Sequence, residues 1–213
     1  VRLTPTSLIL LAAMAVAAVA FAVQRLWPRF VRVRPSLAQP RGSAAAGVLY
    51  AFTKAFAPTA KESASLHVPS YLAGIGYHLG IFTALAALTV SLLPVRVPPG
   101  ATAAAAVLLA LGLACGLVLL GKRTLDARLR GLSVPDDFLS NLLVDATLAA
   151  GIAAGVDPGL VPVFQVTGTL LLLYAPLGKI RHMLSLLASR RWSGAYFGSR
   201  GVRPARPPGP SGG

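Results

Sequence analysis

Cysteine is nearly absent from this chain: Cys115 is the only one in 213 residues. That excludes a disulfide framework and every paired-cysteine metal or redox motif. Acids are almost as scarce, six against twenty Lys and Arg, and charged residues make up only 12% of the sequence. A soluble domain carries about a quarter. Histidine occurs three times, at His67, His78 and His182, and no internal repeat is visible. Nothing in the sequence resembles a nucleophile–base pair, a metal-binding cluster or a phosphate loop. What the chain has instead is apolar length, with 55% hydrophobic residues. The net charge of +14 does not point to nucleic acid, because the bases stand in blocks between apolar runs and are not interleaved with aromatics. The composition is that of an integral membrane protein.

A membrane span needs about 20 mainly apolar residues. Five segments qualify: 7–24, 70–93, 102–121, 138–155 and 160–178, the last continuing as helix past Pro176. The fold expected is therefore all-α, an integral membrane bundle of five transmembrane helices. The first span is expected to be a retained anchor, since Arg25, Arg29, Arg32 and Arg34 follow it directly and oppose export of what comes next. Counting bases by connection, 18 of 20 fall in the 25–69 connection, the 122–137 connection and the segment from 179 onward. The excess of Lys and Arg on cytoplasmic loops then puts the N-terminus outside and the C-terminus in the cytoplasm.

Residues 1–192 are thus expected to form one membrane domain, with 193–213 a basic, Pro/Gly-rich cytoplasmic tail. Within the 25–69 connection, 44–57 reads as a short helix on the cytoplasmic face. "SVPDDF" (133–138) reads as a helix start, with Pro135 in the first turn and Asp136 and Asp137 near the positive end of the helix dipole.

His78 lies about eight residues into the second span, roughly 12 Å deep at 1.5 Å per residue. His182 closes the fifth span on the same side. Two neutral imidazoles on facing helices can hold a haem iron between them, and bundle cores are where such cofactors are built. Gly74, Gly76 and Gly80 bracket His78 and would clear room for a flat ring. Lys179, Arg181, Arg128 and Arg130 sit at the depth where propionates need cations. The same residues allow plainer readings. Gly76 and Gly80 form a GxxxG, which by itself means close helix packing, and an intramembrane histidine can simply bond a backbone carbonyl.

Other polar residues in the spans are Asn141 and Asp145, four apart on one helix face, with Lys179, Arg181, Arg128 and Arg130 as potential partners for the acid. An intramembrane acid marks function or a buried ion pair; here the functional option is quinone or proton handling. His67 is assigned to an interfacial or quinone site, one helix face with His78 if that helix reaches it past Pro69. Tyr77 and Tyr174 read as interface anchors, Cys115 and Met183 as packing, and Gln165 as a hydrogen-bonding partner of a quinone or a neighbouring helix.

"YHLGIF" (77–82), "PLGKIRHML" (176–184), "SVPDDFLSNLL" and "FGSRGVRP" together resemble, in that set of motifs, the membrane cytochrome b, or gamma subunit, of respiratory nitrate reductase. The chain is more similar still to the related cytochromes that accompany heterodisulfide-reductase-like iron–sulfur proteins, over about residues 10–204. The resemblance implies a haem b held by His78 and His182, quinone as diffusible substrate, and a cytoplasmic iron–sulfur partner beside the membrane lipid. It also implies where a second, outer haem would be held, at positions that here are Leu88 and Phe164, neither able to bind iron. One bis-His haem b is the resulting expectation. The alternative is a cofactor-free helical scaffold or anchor subunit of a larger complex; a small transporter using Asp145 is a third option.

Overall fold

The computed structural model describes residues 4–26, 39–57 and 65–202. Of these, 84% are helical, and no strand occurs among them. Arg29, Arg32, Arg34, Lys61, Arg203 and Arg206, and with them most of the expected basic tail, lie outside the described residues.

The helices are α1 (Pro5–Leu26), α2 (Ala44–Phe52), α3 (Val68–Val90), α4 (Pro99–Leu125), α5 (Ala127–Leu132), α6 (Pro135–Val156), α7 (Val161–Tyr174) and α8 (His182–Ser199). Short 3-10 turns cover Lys54–Phe56, Pro158–Leu160 and Lys179–Arg181. Four helices, α1, α3, α4 and α6, are long and apolar enough to cross a membrane. Their outward side chains are apolar too: Val19, Val107 and Val118 are all more than 60% exposed. An apolar exterior of this kind suits lipid and not water, so the chain has the make-up of a multi-pass membrane protein.

The chain divides into two compact units. The first comprises Val1–Ala22 and Pro69–Arg181. It is a bundle whose helices meet along stripes of small residues, as expected where van der Waals fit replaces the hydrophobic effect between helices. On α3 the stripe is Gly76, Gly80, Ala84 and Leu88; on α4 it is Leu109, Gly112 and Gly116. Helix α6 is the most buried of the four spans and carries Asn141, Val144, Asp145, Leu148 and Gly151 inward. Its start is as the sequence predicts: Pro135 occupies the first turn, and Asp137 reaches back to accept the Val134 N–H at 3.0 Å.

The expected fifth span needs correction. Helix α7 stops at Tyr174 and does not continue past Pro176. Proline has no N–H to give the preceding turn, and its ring crowds the carbonyl four residues back. The Leu177 and Gly178 N–H groups both return to the Tyr174 carbonyl, at 2.9 and 3.0 Å. With its leading 3-10 turn the apolar segment covers Pro158–Tyr174, shorter than the other four.

The second unit comprises Val23–Val68 and His182–Gly213. Its described part is a helix pair, α2 against α8. The Arg41 and Gly42 N–H groups bond the Ser199 carbonyl at 2.7 and 2.9 Å, and the Arg190 guanidinium donates to the Ala51 carbonyl at 2.6 Å. Trp192 and Tyr196 stack, and Arg200 lies 3.5 Å over the Tyr196 ring. Helical structure therefore extends through residues 193–199, the first part of the segment set apart as a tail.

Candidate functional site

His78 lies on α3, on the face opposite the packing stripe, and its side chain is exposed. Its Nδ1 is 2.7 Å from the Gly74 carbonyl one turn earlier. A carbonyl only accepts, so Nδ1 carries a hydrogen and donates it. This is the arrangement of metal-ligating histidines, whose second nitrogen is held by a backbone oxygen that fixes ring orientation. A Cβ added at Gly74 would meet nothing within 4 Å, so the space beside that carbonyl is open. Phe82, one turn further on, holds its ring 6.2 Å from the imidazole.

Gly76 and Gly80 do something else. Two residues either side of His78, they are turned about 200° away from it, onto α4. A Cβ at Gly76 would stand 2.8 Å from Cys115 Sγ, and one at Gly80 2.6 Å from the Gly112 Cα. The reading of these two as clearance for a macrocycle is corrected: they are the close-packing GxxxG, and Cys115 is the small apolar contact expected of it.

His182 opens α8 and is exposed; it belongs to the second unit, whereas His78 belongs to the first. His67 is exposed in a turn ahead of α3, also in the second unit. Helix α3 begins at Val68 with Pro69 in its first turn, so the continuous helix that would align His67 with His78 does not form.

Of the four bases, Lys179 and Arg130 have their side chains engaged locally. Lys179 Nζ donates to Asp137 Oδ2 at 2.7 Å, and the Lys179 main-chain N–H to Asp136 Oδ2 at 2.9 Å. Arg123 pairs with the other Asp137 oxygen at 2.9 Å. Arg130 donates to the Thr124 carbonyl at 2.8 Å; Arg128 and Arg181 are exposed, with their main-chain N–H groups bonded to Asp126 and to the Gly178 carbonyl. Asp137 thus ties the end of α4, the start of α6 and the turn after α7. Asp137→Ala removes a cap and two exposed ion pairs at once. It is expected to cost about 1–2 kcal/mol, read as a lower thermal midpoint that converges with wild type at high salt.

None of these cations is paired with Asp145; both ion pairs among the described residues are made by Asp137. Asp145 is 6% exposed. Its Oδ2 accepts from Asn141 Nδ2 at 2.8 Å, and the same amide also donates to the Gly116 carbonyl at 3.3 Å. Tyr77 enters from α3, buried, and donates its hydroxyl to the Asn141 carbonyl at 3.2 Å. Its ring edge and Asp145 Oδ1 both lie against Gly116 on α4. Tyr77 is therefore no interface anchor. The signal was present in the sequence: Tyr77 adjoins the stripe Gly76, Gly80, Ala84, and Asn141 and Asp145 are four apart on the helix it meets.

Gln165 ties α7 to α1 and to the turn after α3. Its Oε1 accepts from Thr6 at 2.7 Å and Ser7 at 3.3 Å on α1, and its Nε2 donates to Ser91 at 3.2 Å. Leu88 and Phe164 are both core side chains, 1% and 4% exposed, with Leu88 seated on Gly168. A cavity of about 320 Å³ opens between α3, α4, α6 and α7, lined by small side chains such as Ala87, Ala105 and Ala154. The hydroxyls on its wall, Thr83, Ser91 and Thr102, are spent on carbonyls of their own helices or turns. It suits a hydrocarbon chain more than a quinone head group. Among the described residues no group of three or more His, Cys, Asp or Glu could hold a metal ion.

No family model, curated protein or solved structure matches the chain.

Proposed function

We propose that the chain is a haem b-containing electron-transfer subunit of the cytoplasmic (inner) membrane, linking the quinone pool to a cytoplasmic iron–sulfur partner. The observation that carries this reading is the exposed His78 imidazole on a membrane-length helix, its orientation fixed by the Nδ1 bond to the Gly74 carbonyl. His182, which closes the motif resembling the cytochrome family, is the proposed second axial ligand. A bis-His haem supplies reversible one-electron storage without an open iron site. Leu88 and Phe164, as core side chains, support one haem and not two.

In this reading Pro158–Tyr174 is the fifth span, close to the lower limit of about 17 residues for crossing. The N-terminus lies outside and the C-terminus in the cytoplasm. The basic inner connections meet the iron–sulfur partner or anionic lipid. The rival reading, a cofactor-free scaffold, draws its support from the ordinary packing roles of Gly76 and Gly80 and from the His78 bond to the Gly74 carbonyl, which a structural histidine makes equally well.

A reduced-minus-oxidised optical spectrum of the purified chain tests the choice. The expected result is a b-type alpha band at about one haem per protein, lost in His78→Ala and in His182→Ala. A chain without the band is the scaffold. A band that survives in either variant makes the ligand assignment wrong.

A further inference from the structure

Beyond electron carriage, we propose that Asp145 is a proton-binding site inside the membrane bundle, its carboxyl carrying an exchangeable proton on Oδ1. Asp145 stands ten residues into α6, so at 1.5 Å per residue it lies about 15 Å along the helix. That is half of the roughly 30 Å hydrocarbon thickness. An ionised acid at such a depth requires a cation or several strong donors. The groups facing it are few: Asn141 on its own helix, Tyr77 from α3 and the Gly116 backbone from α4. Helix α7 brings Phe164 against Gly151 of the same face, and no Lys, Arg or His acts on the carboxyl from any of these helices. Both described ion pairs belong to Asp137.

The hydrogen bonds fit a neutral acid. Asn141 donates to Oδ2, which accepts as the carbonyl oxygen of a protonated carboxyl and leaves Oδ1 for the proton. Oδ1 accepts no hydrogen bond of regular geometry although it is buried. The Tyr77 hydroxyl on that side has already given its hydrogen to the Asn141 carbonyl. A proton on Oδ1 completes the set, donated towards the Tyr77 oxygen, whose lone pairs are acceptors. Every polar atom then has a role, whereas the carboxylate would be a buried charge faced only by two neutral groups, the Asn141 amide and the Tyr77 hydroxyl, and by no cation. Gly116 makes the site possible, because a Cβ there would run into Asp145 Oδ1. The ligand is a proton and not a metal cation: one carboxyl and one amide do not make an oxygen shell.

Infrared spectra of the full-length protein in detergent, in H₂O and D₂O, test the site without reference to haem. The expected result is a protonated-carboxylic-acid C=O band that moves down in D₂O and is absent from Asp145→Asn. In Asn141→Leu the C=O loses its donor, and the band moves up without disappearing. The proposal is overturned if wild type and Asp145→Asn have the same spectrum in this region. It is equally overturned if the band ignores D₂O, since the proton would then not exchange. Failure here leaves the electron-transfer reading to its own optical test, and loss of the haem leaves this one standing.

Discussion

Gly80→Val is expected to leave little or no monodisperse protein on size exclusion, while Gly74→Ala elutes like wild type. The two glycines are six residues apart on one helix, and only Gly80 belongs to the GxxxG. At Gly80 the first added carbon would stand 2.6 Å from the Gly112 Cα and 3.2 Å from the Leu108 carbonyl oxygen. These are backbone atoms of a neighbouring span, so no rotamer change relieves the clash and α3 must move off α4. Overpacking that side chains can absorb costs about 1–3 kcal/mol; separating two backbones exceeds that and consumes much of a stability of about 5–15 kcal/mol. The crossing also aligns Tyr77 with Asn141, so the hydrogen bond between them goes with it. At Gly74 an added methyl meets nothing within 4 Å. If Gly80→Val instead runs as a sharp wild-type peak with an unchanged melting temperature, the α3–α4 crossing is wrong.

The second large effect concerns the other unit. In Gly198→Val, α2 and α8 are expected to part, and trypsin to cleave after Arg190 and Arg191 at least about tenfold faster, tenfold corresponding to about 1.4 kcal/mol of easier opening. A Cβ at Gly198 would meet the Ser43 carbonyl oxygen at 2.5 Å and the Gly47 Cα at 2.7 Å; one at Gly194, a turn earlier, would meet the Gly47 carbonyl oxygen at 2.8 Å. Both helices thus touch backbone to backbone, and little side-chain area holds them otherwise. Among the other ties are the Arg190 bond to the Ala51 carbonyl and the Arg41 and Gly42 N–H bonds to the Ser199 carbonyl, all of which need the close approach. Because the first unit has its own core of Leu10, Leu88, Leu109 and Leu148, its helices should keep their melting behaviour in this variant. An unaltered cleavage rate would show that the pair does not depend on the glycine contact.

Much of this protein follows from one-dimensional signals. Four membrane-length helices were legible because span length is set by bilayer thickness and needs only a count of apolar residues. The start of α6 was legible because Pro135 and Asp137 act on backbone within four residues. The stop of α7 also had its signal, Pro176, and the apolar residues beyond it outweighed that signal wrongly. Asn141 and Asp145 were readable as a pair, since i and i+4 share a helix face.

What needed the folded chain is everything that depends on which way a helix is turned. Gly74, Gly76 and Gly80 all bracket His78 in the sequence, and it is the rotation of α3 that sends Gly74 to open space and the other two into α4. Lys179 was one of several cations within sequence reach of Asp145, and only the tertiary arrangement gives it to Asp137. Gly194 and Gly198 mark a weak helix in isolation, and become the contact surface of α8 only because α2 is there to press on them. Length, charge asymmetry and caps act along the chain and need no partner; helix rotation and partner choice are settled by close packing between segments far apart in sequence, which no local pattern encodes.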